Sequence, residues 1–217
     1  MQKNESGLYL KQVEIGPMEN FVYFVGDKAT REVFVVDPAW QVDTILRLAK
    51  EEDLKIRGAL ISHFHFDHTN GIEELLEAVN CPVYVHKWDV PYVECSSDQI
   101  KGVDNGRREK VGSVEIEFVH TPGHTPGSQC FYVRNHLISG DTLFINACGR
   151  TDLPGGNTEE MYRTLTERLM KFDDSTVLCP GHNYAEKPTS TMGEQKKTNP
   201  YLMCDSLDNF IRFRMGM

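Results

Sequence analysis

The chain has 217 residues, 40% hydrophobic and 25% charged, enough to bury one substantial core, so a single globular domain over residues 1–217 is expected. With 23 Lys and Arg against 32 Asp and Glu, the formal net charge is −9, a balance that repels a phosphate backbone and excludes extended nucleic-acid binding. No window approaches the roughly 18–20 uninterrupted apolar residues that span a bilayer, and the polar residues 1–6 have no apolar signal core behind them, so neither a membrane span nor an export signal is expected.

Residues 8–15, 20–26 and 32–37 are rich in β-formers and are separated by Gly16-Pro17 and Asp27-Lys28, the pattern of an N-terminal antiparallel meander. Residues 42–52 place Val42, Ile45, Leu46 and Ala49 on one helical face, and residues 57–62 return as a short apolar strand. Thr69 or Asn70 is positioned to cap a helix carrying Ile72, Leu75, Leu76 and Val79, before residues 82–86 resume extended structure. Residues 93–110 are polar and turn-rich and read as one long surface loop. Residues 114–120, 129–134 and 137–140 form a second group of strands. A helix is expected over 158–172, with Asn157 and Glu160 at capping-box-like spacing and Met161, Leu165, Leu169 and Phe172 as its apolar stripe. A strand at 176–179 and a short helix at 205–213 close the chain.

Chemistry concentrates in Ser62-His63-Phe64-His65-Phe66-Asp67-His68. In an extended segment His63 and His65 point the same way, and the following turn can swing Asp67 and His68 toward an adjacent point. Three imidazoles and a carboxylate packed together without a cation would repel one another or go unsatisfied. Nitrogen and carboxylate donors suit zinc, iron or manganese, and with no cysteine nearby a closed thiolate site is excluded, so open coordination positions and catalysis are implied. His124 in Thr121-Pro122-Gly123-His124-Thr125-Pro126-Gly127, Asp141 after Ser139-Gly140, and His182 after Pro180-Gly181 each follow a strand-like run at a glycine turn, which is how a rigid scaffold aims side chains at one point. Seven such ligands fit two ions sharing one bridge.

With these residues the chain resembles the metallo-β-lactamase superfamily, whose H-x-H-x-D-H motif it carries as His63, His65, Asp67 and His68, followed in order by His124, Asp141 and His182. The resemblance implies an α/β fold, the αββα sandwich, with two facing mixed sheets, helices on the outer faces and the metal site at one edge. It also implies two divalent metal ions, zinc first, with iron or manganese as alternatives. Metal 1 would take His63, His65 and His124, and metal 2 would take Asp67, His68 and His182, with Asp141 bridging.

Within that superfamily, Gly140-Asp141-Thr142-Leu143-Phe144, Cys148-Gly149-Arg150 and Gly181-His182-Asn183-Tyr184 resemble the glyoxalase II-like (hydroxyacylglutathione hydrolase-like) enzymes. That branch implies hydrolysis of a small-molecule acyl thioester by a hydroxide bridging the two ions, with Asp67 in a catalytic role. Full-length members add a C-terminal helical domain that supplies much of the glutathione site, and 217 − 182 = 35 residues follow His182 here, so the short form without that domain is expected. Cys148-Gly149-Arg150-Thr151-Asp152 and Thr198-Asn199-Pro200 also resemble the persulfide dioxygenases. The alternative they imply is one ferrous ion on His63, His124 and Asp141.

Arg150 offers a bidentate fork to an anionic substrate group or to Asp152, Tyr184 a hydrogen bond near the site, and Lys196 a charge for an acidic substrate. Cys148 reads as packing or substrate-lining, His86 and His136 as strand-end polar residues, and His120 as a candidate partner of a ligand. The six cysteines stand without a C-x-x-C pair or tight framework, as expected of reduced thiols in a cytoplasmic protein. Neither nucleic acid nor membrane is an expected partner, and a homo-oligomer is compatible with the chain.

Overall fold

Strand formers run unbroken from Phe21 to Val25, and the side to which each successive side chain points sets the layering. In the computed structural model, which describes residues 7–216, the meander is β1 (Leu8–Ile15), β2 (Asn20–Asp27) and β3 (Glu32–Val36). The polar residues 1–6 lie outside the described span. All of β2 is buried: Phe21, Tyr23 and Val25 face an inter-sheet core, and Val22 and Phe24 face a second core on the opposite side, as a period-2 strand covered on both faces requires.

The chain continues through α1 (Val42–Glu51), β4 (Lys55–Leu60), α2 (Phe66–Thr69), α3 (Ile72–Ala78), β5 (Val83–His86), β6 (Ile100–Val103), β7 (Arg108–Val111), β8 (Val114–His120), β9 (Gln129–Val133), β10 (His136–Gly140), β11 (Leu143–Phe144), β12 (Ala147–Cys148), α4 (Thr158–Arg163), β13 (Val177–Pro180), β14 (Ser190–Thr191), α5 (Met192–Thr198) and α6 (Leu207–Met215). One mixed sheet has the order β1-β2-β3-β4-β5-β6 and the other β14-β13-β10-β9-β8-β7. Val114, Ile116, Phe118, Phe131 and Ile138 of the second sheet meet Phe21, Tyr23, Phe34 and Leu60 of the first. Ile45 and Ala49 of α1, with Ile72 and Leu75 of α3, cover one outer face. Met161, Leu165, Met192 and Phe210 cover the other, against Cys130, Leu137 and Leu178. The result is the α/β, αββα sandwich with two facing mixed sheets. Among the described residues no helix is long and apolar enough to cross a membrane.

Three local expectations are corrected. Residues 93–110 are not one loop, because β6 extends the first sheet in parallel beside β5 and β7 edges the second beside β8. Both are edge strands that bury little beyond Val103 and Val111 and keep Lys and Arg outward, as edges do; Arg108 pairs across to Glu117 at 2.8 Å. The helix expected over 158–172 is α-helical only to Arg163 and then widens into a π turn (Thr164–Arg168) and a 3-10 turn (Leu169–Lys171). There the Thr164 hydroxyl donates to Pro122 O at 2.7 Å and that of Thr166 to Tyr162 O at 2.7 Å; the second is the back-bonding that bends helices. Asn157 does cap its start, accepting from Glu160 N. Neither Thr69 nor Asn70 caps α3. Gly71 holds that position without a side-chain bond, the Thr69 hydroxyl donates to Phe64 O and His65 O, and Asn70 Oδ1 accepts from Trp40 N at 2.6 Å.

Candidate metal centre

All seven expected ligands leave the sandwich at one edge, where the parallel strands β4, β10 and β13 end and where β8 turns back. His63 and His65 follow β4, Asp67 and His68 lie in α2, His124 in the turn after β8, Asp141 just beyond β10, and His182 two residues beyond β13. The C-terminal ends of parallel strands are the usual crevice of α/β folds.

The side chains gather in three overlapping sets with donor atoms within 4.8 Å of one another: His63, His65 and His124; Asp67, His68 and His182; and His63, His68 and Asp141. Nε2 of His63 lies 3.2 Å from Nε2 of His124, and Nε2 of His68 lies 3.1 Å from Nε2 of His182. Asp141 stands between the sets, with Oδ1 3.3 Å from His68 Nε2 and 3.4 Å from His182 Nε2, and Oδ2 3.6 Å from His124 Nε2. Asp67 Oδ2 faces His68 at 3.3 Å and His182 at 3.4 Å.

The outer ring nitrogens are already occupied. His124 Nδ1 donates to Arg150 O at 2.6 Å, His182 Nδ1 to Met18 O at 2.8 Å, and His68 Nδ1 to Asp37 Oδ2 at 2.9 Å. His63 Nδ1 meets Ser62 Oγ at 3.0 Å, and that hydroxyl donates to Asp37 Oδ2 at 2.6 Å. Such acceptors fix the tautomer and leave the Nε2 lone pairs pointing inward, as metal-binding histidines require.

Charge divides the site. Burial, with the neighbouring imidazoles His68 and His124, pushes His63 well down, and burial lowers His65 to about 4. His124 is lowered by burial as well, so one half presents neutral rings. In the other half burial is outweighed: Asp141 and Asp67 raise His182 to about 9, the carboxylate of Asp141 raises His68, and the facing imidazoles hold Asp67 and Asp141 well below the usual carboxylate range. The cluster therefore calls for positive charge at its centre. Asp141 Oδ1 is buried without a hydrogen-bond partner, and inward ring nitrogens crowd one another at about 3 Å, so the donor set fits divalent cations.

Four supporting residues escaped the sequence reading. Asp37 braces His68 and Ser62. Asn20 donates to Asp67 Oδ2 at 3.0 Å, and the Trp40 indole donates to Asn20 at 2.8 Å. Asp89, fully buried, accepts from Phe64 N, Thr125 Oγ1 and Gly127 N at 3.1, 2.7 and 2.6 Å, tying the His63–His65 loop to the His124 loop. Only the strand-end position of Asp37 carried any sequence signal.

The residues expected at the substrate diverge. Tyr184 stacks on His182 with ring centroids 4.7 Å apart and stays exposed. Arg150 bonds Asp152 through both arms of its fork and is exposed. The structure does not bring Lys196 to the centre: its ammonium is held by Phe172 O and Asp174 Oδ1 at 2.6 and 2.7 Å, before the start of β13, whose far end leads to His182. His120 is no partner of a ligand; it stacks on His86 at 4.0 Å and bonds Pro126 O. Cys148 is buried in the outer core, and the six cysteines are free.

Known proteins share this chain's sequence and fold over most of its length. The probable polyketide biosynthesis zinc-dependent hydrolase BaeB of Bacillus velezensis is 28% identical over 195 residues, covering 90% of this chain and 87% of that protein. The crystal structure of ETHE1 from Myxococcus xanthus superposes with a TM-score of 0.86 at 29% identity, over 95% of this chain and 90% of that one. TTHA1623, solved in a di-iron-bound form, superposes with a TM-score of 0.78 at 29% identity, over 88% of this chain and 100% of that one. Residues 15–182, from β1 to the last ligand, match the metallo-β-lactamase superfamily, and the chain belongs to that superfamily.

Proposed function

We propose that the chain is a metal-dependent hydrolase of small-molecule acyl thioesters, working at a two-ion centre. Asp141 carries this reading: its two oxygens face opposite halves of the site, Oδ1 toward His68 and His182 and Oδ2 toward His124, the disposition a bridging carboxylate needs. Similarity to a probable zinc-dependent hydrolase and to a protein solved in a di-iron-bound form supports two-metal hydrolysis. The run from Gly140 to Arg150 supports the thioester.

When bound, two divalent ions polarise an acyl carbonyl and lower the pKa of a water toward about 7. The chain's own residues hold and orient. His63, His65 and His124 would hold one ion and Asp67, His68 and His182 the other, with Asp141 shared. Asp67 and Asp141 keep 15% and 13% of their side chains exposed while His63, His68, His124 and His182 are buried, so the carboxylates face the reacting atoms and these four histidines form the wall behind them. Asp67, fixed by Asn20, is placed to orient the attacking water. Tyr184, whose hydroxyl is pushed up to about 12 by partial desolvation and by the Asp141 and Asp67 carboxylates, remains a hydrogen-bond donor at neutral pH and borders the mouth; Arg150 would exchange Asp152 for an anionic group of the substrate. In the overall reaction water adds to the acyl carbon, the C–S bond breaks, and the sulfur leaves with a proton as a thiol.

Metal-replete protein is expected to release free thiol from acyl thioesters at equal rates in air and without oxygen. Absence of thiol release across an acyl-thioester series contradicts the reading. A second reading, oxygen-dependent persulfide oxidation at one ferrous ion, is favoured by the approach of His63 and His124 to 3.2 Å beside Asp141 and by the similarity to ETHE1. Persulfide-dependent oxygen uptake would move it ahead.

A further inference from the structure

Trp40 occupies a backbone conformation that a bulky residue adopts only under constraint, with φ at +62°. Contacts on every side hold it there. Its backbone N–H donates to Asn70 Oδ1 at 2.6 Å, and its indole lies so close over Gly16 that a Cβ there would come within 2.3 Å of Cδ1. Phe66, 61% exposed, meets the ring edge-on at 5.9 Å. The indole Nε1–H donates to Asn20 Oδ1 at 2.8 Å. Asn20 is 2% exposed, and its Nδ2 donates to both Asp67 Oδ2 and Asp67 O at 3.0 Å.

An asparagine amide has one accepting and one donating end, and an indole N–H can only donate. The indole therefore dictates which way the Asn20 amide points. With Trp40 in place, the amide NH2 meets the Asp67 carboxylate; turned over, the amide oxygen would oppose it. Asp67 Oδ2 is the atom facing His68 and His182, so the relay sets the carboxylate of the second half-site. Asn20 also pairs through its backbone with His182, which makes the second ion's ligands its local neighbours.

We propose that Trp40 is a positioning residue for the second ion, acting through the Asn20 amide to fix the rotation of the Asp67 carboxylate. This inference rests on the two-ion reading above. The test is metal titration against a competing chelator, with Zn²⁺ as the probe, on the full chain, the Trp40→Phe and Asn20→Ala variants and the double variant. Trp40→Phe keeps an aromatic side chain beside Gly16 and Phe66 but removes the indole N–H together with part of the ring, and the Asn20→Ala background separates the two losses. Loss of a partner that orients a ligand costs about 10–100-fold in metal affinity, so the second Zn²⁺ should bind Trp40→Phe about tenfold or more weakly, with the first changed by less than about twofold. Asn20→Ala should show the same selective loss, and Trp40→Phe should add nothing in that background.

Unchanged affinities for both ions in Trp40→Phe overturn the proposal and leave the two-ion centre standing. Equal weakening of both ions, or the same Trp40→Phe loss when Asn20 is already Ala, assigns Trp40 to general packing and overturns it too. Wild-type protein that binds only one Zn²⁺ sinks the two-ion reading and this proposal together. Thermal unfolding of each variant separates loss of fold from loss of metal.

Discussion

His86 and His120 show what burial does to imidazoles that make no hydrogen bond to a carboxylate. Their rings stack parallel at 4.0 Å, and burial, with His120 adding to it, lowers His86 from 6.5 to about 4. Between those values the unfolded chain binds the proton that the folded protein refuses, so stability falls as pH falls from about 6.5 to about 4. His86→Phe keeps a flat ring against His120 and removes this titration. Denaturant unfolding across that window should therefore give a shallower pH dependence for the variant than for wild type, and identical slopes would contradict the assignment. His68 and His182, equally buried, go the other way because Asp67 and Asp141 face them. The seven expected ligands were legible in the sequence because four share one dense motif and His124, Asp141 and His182 each stand at a glycine turn. Asn20, Trp40 and Asp89 were not, since each acts only through contacts made by folding: Asn20 on Asp67 across 47 positions and Asp89 on Thr125 across 36.

At the level of elements, the centre depends on how strands end. Gly181 closes β13 against Gly140, and a Cβ there would lie 2.5 Å from Asp141 Oδ1 and 2.8 Å from the Gly140 carbonyl carbon. Gly181→Ala should displace the shared carboxylate and weaken both ions about tenfold or more, by the scale of effects on groups that orient ligands. Elemental analysis after dialysis checks this, and full metal retention would contradict it. Strands that feed the site were readable because they are apolar and run into a glycine turn or, for β4, straight into the histidine cluster. The edge strands β6 and β7 were not, because Ile100-Lys101-Gly102-Val103 and Arg108-Glu109-Lys110-Val111 carry little apolar signal and are defined by the ladders they join. The turn at Thr164–Arg168 was hidden for a related reason: its apolar stripe is helical in period, and only the tertiary bond of Thr164 to Pro122, with the local one of Thr166 to Tyr162, accompanies the widening.

Across the whole molecule, four layers leave one edge where β4, β10 and β13 all terminate, and that edge gathers histidines and aspartates from positions 63 to 182. The core holds each strand in register, so the donors are brought within reach of one another before any ion arrives. The layers are a property of hydrophobic periodicity, and the chemistry is a property of the turns. Metal content per chain, measured on protein purified without chelator from metal-supplemented culture, tests the two-ion centre most directly. Close to two ions of zinc, iron or manganese per chain are expected. Close to one iron per chain, with no zinc, would contradict the two-ion centre.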